Sequence, residues 1–389
     1  MDLTRRLTVT SMTRSKLRIN PKLKNHSEFQ KLFARWKRQN PLNELESFKT
    51  RHFNPSQFWR PLELAAIENW SITGASLYYR SLGMKIPSSE TILNCCHLEG
   101  DYKMEIQLNH TLEAFFQGLP GKVRRKFRQL GVVIVDVHED PYYGKPDNPN
   151  VRGIRPNRSA KLAYCYLTAD LYTPTGKLTI AHVLWRPGEP LEAVFGDLLT
   201  RIEFILTPKL IIFDGEFTTV NIMNLLWQKG IPFVGRLRVS YRIRPLALAY
   251  SLTDNWEKLR QWRAMTLRAN EKKPEITVHV TFQRVHTEMK ALVISPALDW
   301  TPEEAVQWYG KRFSIDTGYR DKHQFQGRTS SKTLAVRYLI LLFAYIFWNL
   351  CQIFFLLVNR GLNKNLPRIA KWRREFRTIK VFLLREVVL

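Results

Sequence analysis

Apolar positions along this chain change their spacing as the sequence proceeds. Over residues 61–119 they recur at helical intervals. Residues 71–82 read as one helix, Gly83 interrupts it, and Ser88, just after Pro87, is placed to cap a second short helix through about His97. From Gly131 the apolar residues gather into runs of strand length. Residues 132–137, 162–172 and 178–185 read as three strands, the last two separated by a Thr173-Pro174-Thr175-Gly176 turn. Residues 191–206 then read as a helix, 210–213 as a strand, 220–229 as a helix and 232–237 as a strand. Three strands followed by alternating helix and strand predict a mixed α/β sheet with flanking helices.

Residues 241–294 break this alternation with a basic, Trp-containing stretch and a hairpin of residues 276–286 and 290–294. After it, Thr301-Pro302-Glu303-Glu304 carries two helix-start signals, a proline at the first position and a Thr-x-x-Glu capping box. Residues 339–358 are almost wholly apolar, interrupted by Asn349 and Gln352. About 20 such residues can cross a bilayer, but a helix buried on all sides of a large domain has the same composition. The two amides favour the buried helix, so no membrane partner is expected.

Charge adds a partner to this picture. The 389 residues carry 60 Lys and Arg against 34 Asp and Glu, a net charge of +26. The excess gathers at the ends, with 14 cations to 4 acids in residues 1–60 and 9 to 2 in residues 359–389. Such a balance excludes an ordinary neutral metabolic enzyme as the default and points to a polyanion, nucleic acid or an anionic membrane. The helix-glycine-helix spacing over 71–97 is compatible with a helix-turn-helix. The four cysteines form no Cys-x-x-Cys pair, and Cys95-Cys96-His97 cannot converge on one ion from a helix. They read as packing residues in a chain of a reducing, intracellular compartment.

Two aspartates end apolar runs, Asp136 after Val-Val-Ile-Val and Asp214 after Leu-Ile-Ile-Phe. Carboxylates there are poorly placed for a core and well placed for a site at the sheet. On the helix opened by Thr301, Tyr309, Arg312 and Asp316 fall at i, i+3 and i+7, on one face. Three convergent carboxylates suit two divalent ions with oxygen ligands, Mg2+ or Mn2+, the arrangement for phosphodiester displacement. His138 reads as a surface residue beside a turn.

In the order Asp136 with Pro141-Tyr142-Tyr143-Gly144, Asp214-Gly215-Glu216-Phe217, and Tyr309-Gly-Lys-Arg312-Phe-Ser-Ile-Asp316, the chain resembles the DDE transposases of prokaryotic insertion sequences, the insertion-sequence-4-type superfamily above all. The resemblance covers residues 131–358. It implies a ribonuclease-H-like core split over 126–240 and 295–360, a mostly β insertion at 241–294, an N-terminal helical DNA-binding region over 1–125 and a basic tail at 361–389. Carried over by position, Asp136, Asp214 and Asp316 become the metal-binding catalytic acids, with Asp316 standing where the family has Glu. Tyr309 and Arg312 match the family's signature pair as DNA contacts, joined further along by Arg320 and by Lys322, one step ahead of the family lysine position that His323 occupies. The implied activity is cut-and-paste transposition in a cytoplasmic, nucleoid-associated setting, on double-stranded DNA, by a homodimer assembled on element ends. The rivals are a nuclease of the same fold that cuts without joining, a decayed DNA-binding protein, and a membrane-anchored basic protein.

Overall fold

The structure, a computed structural model, describes residues 26–38, 41–157, 160–173, 176–237, 263–268, 275–285, 288–312, 322–358, 379–380 and 383–384. One mixed sheet organises it. Its strands are β1 (Val132–Tyr142), β2 (Arg152–Asn157), β3 (Ala160–Thr173), β4 (Gly176–Leu184), β5 (Leu210–Phe213), β6 (Phe233–Leu237), β7 (Arg263–Arg268), β8 (Glu275–Val285) and β9 (Glu288–Ile294). β1 lies inside the sheet, antiparallel to β3 on one side and parallel to β5 on the other. The far edge of β3 is shared, β2 pairing with its first residues and β4 with the rest. Beyond β5 come β6, parallel, then β9, β8 and β7, all antiparallel. The described part of residues 241–294 therefore extends the main sheet through the β6–β9 pairing and forms no sheet of its own.

The ten helices described are α1 (His26–Arg38), α2 (Pro55–Glu68), α3 (Ile72–Ser81), α4 (Ser89–Glu99), α5 (Asp101–Gln117), α6 (Gly121–Leu130), α7 (Leu191–Ile205), α8 (Val220–Gln228), α9 (Pro302–Gly310) and α10 (Leu334–Val358). Side chains alternate across the strands. Val133, Val135, Ile211, Phe213 and Phe233 belong to the main core, to which α7 and α8 contribute. Ile134, Ile212, Val234 and Ile294 turn the other way and meet Ala305 and Tyr309 of α9. The Thr301 capping box forms as read, with Thr301 Oγ1 accepting from the Glu304 amide and Glu304 accepting from the Thr301 amide.

α10 is the apolar helix of the sequence. Residues 334–354 are long and apolar enough to cross a membrane, yet all are buried within the protein. α2, α4, α5 and β4 pack on it, so the helices of residues 26–130 share its core. Asn349 explains itself: its Nδ2 donates to Thr179 O at 2.8 Å and its Oδ1 accepts from Thr179 N at 2.9 Å. The side chain thus satisfies a backbone donor and acceptor of β4 as a neighbouring strand would. Trp348 adds a bond from Nε1 to Lys177 O at 3.0 Å.

α6 is joined to β1 by Gly131 alone, at φ +61°. A Cβ added there would stand 2.6 Å from Lys209 Cγ, beside a bond from Lys209 N to Gly131 O of 2.7 Å. Gly131→Ala is expected to destabilise the protein by about 1–3 kcal/mol, from the left-handed backbone and the close approach together. Urea denaturation reads this directly.

A second stability prediction concerns the histidines between β1, β3, β4 and α10. His182 is 1 % exposed and packed against the Tyr166, Tyr338 and Tyr345 rings; His138 is 3 % exposed. Burial, helped by Arg201, pushes the His182 imidazole down to about 3. Burial, then His323, Lys322 and His182, hold His138 well below the usual value as well. The unfolded chain takes up protons on these residues below about pH 6.5 while the folded protein does not, so stability is lost as pH falls from 6.5 towards 3. His182 contributes a loss of about 2 kcal/mol between roughly pH 7 and pH 5. His182→Phe is expected to flatten the acid side of a urea-melt pH profile by that amount.

Candidate active site

The register of two parallel strands builds the site. Val135 of β1 is level with Phe213 of β5, so Asp136 and Asp214 follow side by side. Ile134 and Ile212 face α9, and alternation puts both aspartates on that same face. Asp136 does not end its strand, as the sequence suggested: β1 runs on to Tyr142 because its antiparallel pairing with β3 continues after β5 has stopped.

α9 supplies the other half. Tyr309 donates from its hydroxyl to Asp214 Oδ1 at 3.0 Å. Burial, with Asp214 adding to it, pushes the Tyr309 phenol well above its ordinary value, so the proton stays on Tyr309. α9 ends at Gly310, and Arg312 stands in the turn that follows. Its Nη1 lies 3.8 Å from Asp136 Oδ2 and 3.7 Å from Asp214 Oδ2, one guanidinium between two carboxylates. Both distances exceed the 2.7–2.9 Å of a direct charge-assisted bond, so the cation bridges the pair loosely. Asp214 keeps 36 % of its side chain exposed and Asp136 16 %, which leaves an open side to the pair.

The sequence reading missed Asp170. It sits on β3 opposite Ile134, on the face of Asp136, at 1 % exposure. Lys322 donates to its two oxygens at 2.9 and 2.8 Å, and Thr179 Oγ1 donates to Oδ1 at 2.7 Å. The signal for it was an acid in the middle of an otherwise buried strand, where an ionised group requires a partner.

Lys322, read as a DNA contact, is 2 % exposed and committed to this ion pair. Tyr309 and Arg312 meet the acids; Asp316 and Arg320 lie outside the described residues. His138, read as a surface residue, is buried, because β1 does not turn there. Its ring lies beside that of His323, centroids 5.5 Å apart and planes tilted by 37°. The helix pair of 71–97 forms as α3 and α4, with Ser71 and Ser88 as caps and Cys95 and Cys96 buried. The solvent face of α4, however, carries Glu90, Asn94, His97 and Leu98 and no Lys or Arg, a poor match to phosphate.

The donor chemistry fits a divalent ion in part. Two partly exposed carboxylates already gather one positive group between them, and all-oxygen donors suit Mg2+ or Mn2+. Asp170 cannot join them while Lys322 holds it. Among the described residues, no group of three or more His, Cys, Asp or Glu is placed to hold a metal.

No family model and no curated protein matches the chain. Among solved structures, it is similar to a piggyBac transposase in its synaptic complex with hairpin DNA, with a TM-score of 0.53 and 15 % sequence identity. The likeness covers 93 % of this chain and 81 % of that one. The placement within the insertion-sequence-4-type superfamily gains no support from it. At this identity what the two chains share is the fold, over most of both lengths.

Proposed function

We propose that this chain is a DNA transposase with a ribonuclease-H-like catalytic core, working by metal-dependent cleavage at element ends and strand transfer into target DNA. The observation that carries it is the pair of carboxylates, Asp136 and Asp214, set side by side by parallel strands and bridged by Arg312, in a chain whose fold is that of a piggyBac transposase. The strand order β4-β3-β1-β5-β6, with only the last two steps parallel, supports the ribonuclease-H-like assignment. The net charge of +26 supports duplex DNA as the partner.

Asp136 and Asp214 would hold a divalent ion, with Asp316 as third ligand. Such an ion, when bound, lowers the pKa of an attacking water or 3′-hydroxyl and neutralises charge on the leaving oxygen. Tyr309 orients the Asp214 carboxylate through its hydrogen bond. Arg312 holds positive charge against both acids and would offer it to a scissile phosphate. Two ends must be processed together, so a homodimer assembled on DNA is part of the proposal.

The test is incubation of the purified protein, with Mg2+ or Mn2+, with a plasmid carrying the coding region and its flanking DNA. Breaks at the element borders together with joined products are expected. Breaks without joining would leave a nuclease in place of a transposase; no metal-dependent breaks at all would remove the enzymatic reading.

A further inference from the structure

We infer that α6 is a DNA-phosphate contact surface, formed by Lys122, Arg124, Arg125 and Arg128; this rests on the proposed action on DNA. The sequence of α6, Gly-Lys-Val-Arg-Arg-Lys-Phe-Arg-Gln-Leu, contains five cations and no acid. Only Val123 and Phe127 are buried, and they fasten the helix to the core, Phe127 against Phe116 at 6.4 Å between ring centroids. At 100° per residue the five cations spread over the arc opposite that stripe. Lys122, Arg124, Arg125 and Arg128 are exposed, and Lys126 is half-buried. Among the described residues, none of the five pairs with a carboxylate.

Helix stability argues against this arrangement, which is why it points to a ligand. Lys122 with Arg125, Lys122 with Lys126, Arg124 with Arg128 and Arg125 with Arg128 are like charges at i,i+3 or i,i+4, and each pair repels. Lys122 also sits in the first turn, where the helix dipole favours an acid, and Pro120 gives that end no side-chain cap. A polyanion laid on the exposed face reverses all of these costs. The surface continues at both ends of the helix. Exposed Arg35 donates to Gly118 O at 3.2 Å just before it, and exposed Lys209 donates to Gln129 O at 3.1 Å at its close.

The helix is about 15 Å long, a length over which a duplex carries about nine phosphates on its two strands. Gly131 delivers it directly into β1, with Asp136 about 13 Å further along the strand. The patch therefore keeps a fixed position relative to the acids and suits a duplex segment beside the cleavage point. By contrast α4, on the helix pair that the sequence suggested for DNA, offers no cation to solvent.

The experiment compares full-length parent protein with Lys122→Gln/Arg124→Gln/Arg125→Gln/Arg128→Gln, which keeps helix propensity and side-chain length. A control variant removes four exposed cations elsewhere, Arg51, Arg80, Lys85 and Lys145, also to Gln. Affinity for a short random-sequence duplex is measured by fluorescence anisotropy between about 50 and 200 mM salt. The α6 variant is expected to bind roughly 10²-fold more weakly, with the salt slope reduced by about 4. Its melting temperature without DNA should equal or exceed the parent's, because the repulsion is gone. The control variant should lose much less of both slope and affinity. An α6 variant no weaker than the control overturns the inference and leaves the transposase proposal standing. A parent that binds no duplex at about 50 mM salt overturns it through the function on which it rests. Release of the α6 variant from phosphatidylserine vesicles, with duplex binding unchanged, overturns it in favour of a membrane surface.

Discussion

Asp136→Asn protein is expected to bind element-end DNA as the parent does and to cut it at least about 10³-fold more slowly. Asn keeps the shape of Asp and removes one negative charge from a two-carboxylate site. If divalent-ion and phosphate stabilisation by that charge amounts to about 4 kcal/mol in the transition state, the loss is about 10³-fold. Asp214→Asn should behave alike, with one difference. Asp214 accepts from Tyr309, and an amide can turn its oxygen to the same donor, so the position of α9 is kept. Neither substitution should unfold the protein. Both side chains are partly exposed, and each leaves Arg312 with the other carboxylate. The measurement is single-turnover cleavage with Mg2+ beside equilibrium binding and a thermal melt. Cleavage by Asp136→Asn at the parental rate would sink the site; equal loss of binding and cleavage would mean that the carboxylate serves DNA affinity and not chemistry.

Asp170→Ala should destabilise the fold by about 3–5 kcal/mol, the largest stability effect anticipated in the molecule. The change leaves the Lys322 ammonium, 2 % exposed, without the carboxylate that holds it by two bonds, and leaves Thr179 Oγ1 without its acceptor. Burial already lowers the Lys322 pKa against the opposing pull of Asp170, so without Asp170 the amine should shed its proton more readily. The double change Asp170→Asn/Lys322→Met removes both charges at similar volume and should recover much of the loss. Urea melts of the parent, Asp170→Asn, Lys322→Met and the double variant give the coupling energy. Additive effects of the two substitutions would show that the pair is not coupled.

Much of the sheet was legible because its strands are long apolar runs cut by turn residues. Leu210–Phe213 came out as read, and β3, β4 and both helices between β4 and β6 fell within a few residues. β1 came out five residues longer than the strand read over 132–137, since from His138 to Tyr142 it alternates buried and exposed positions against β3. No local pattern announces which strand will pair with which, so the turn suggested after Asp136, and the surface position for His138, were misplaced. The site shows the same division. Asp136 and Asp214 could be picked out because each interrupts the hydrophobic pattern at a run's end. Asp170 lies inside one, and its partner Lys322 comes 152 residues later. A contact at that separation has no signature in spacing. The Tyr309–Arg312 pair was legible through capping signals and resemblance, yet its loose bridge across both acids required the register of β1 and β5.

α10 has a consequence for how the protein is made. Its 25 residues would be hazardous on their own, a stretch able to enter a lipid bilayer or to stick to another chain. Yet the elements that pack on it, α2, α4, α5 and β4, all precede it in the sequence. A ribosome adding about 5–20 residues per second takes roughly 1–5 s to add this helix, and by then these four elements have been synthesised. The order of the elements therefore shortens the time for which the most insoluble segment is exposed to the cell. A circular permutant that placed α10 first would keep every native contact and lose that protection, and it should demand chaperones that the natural order does not.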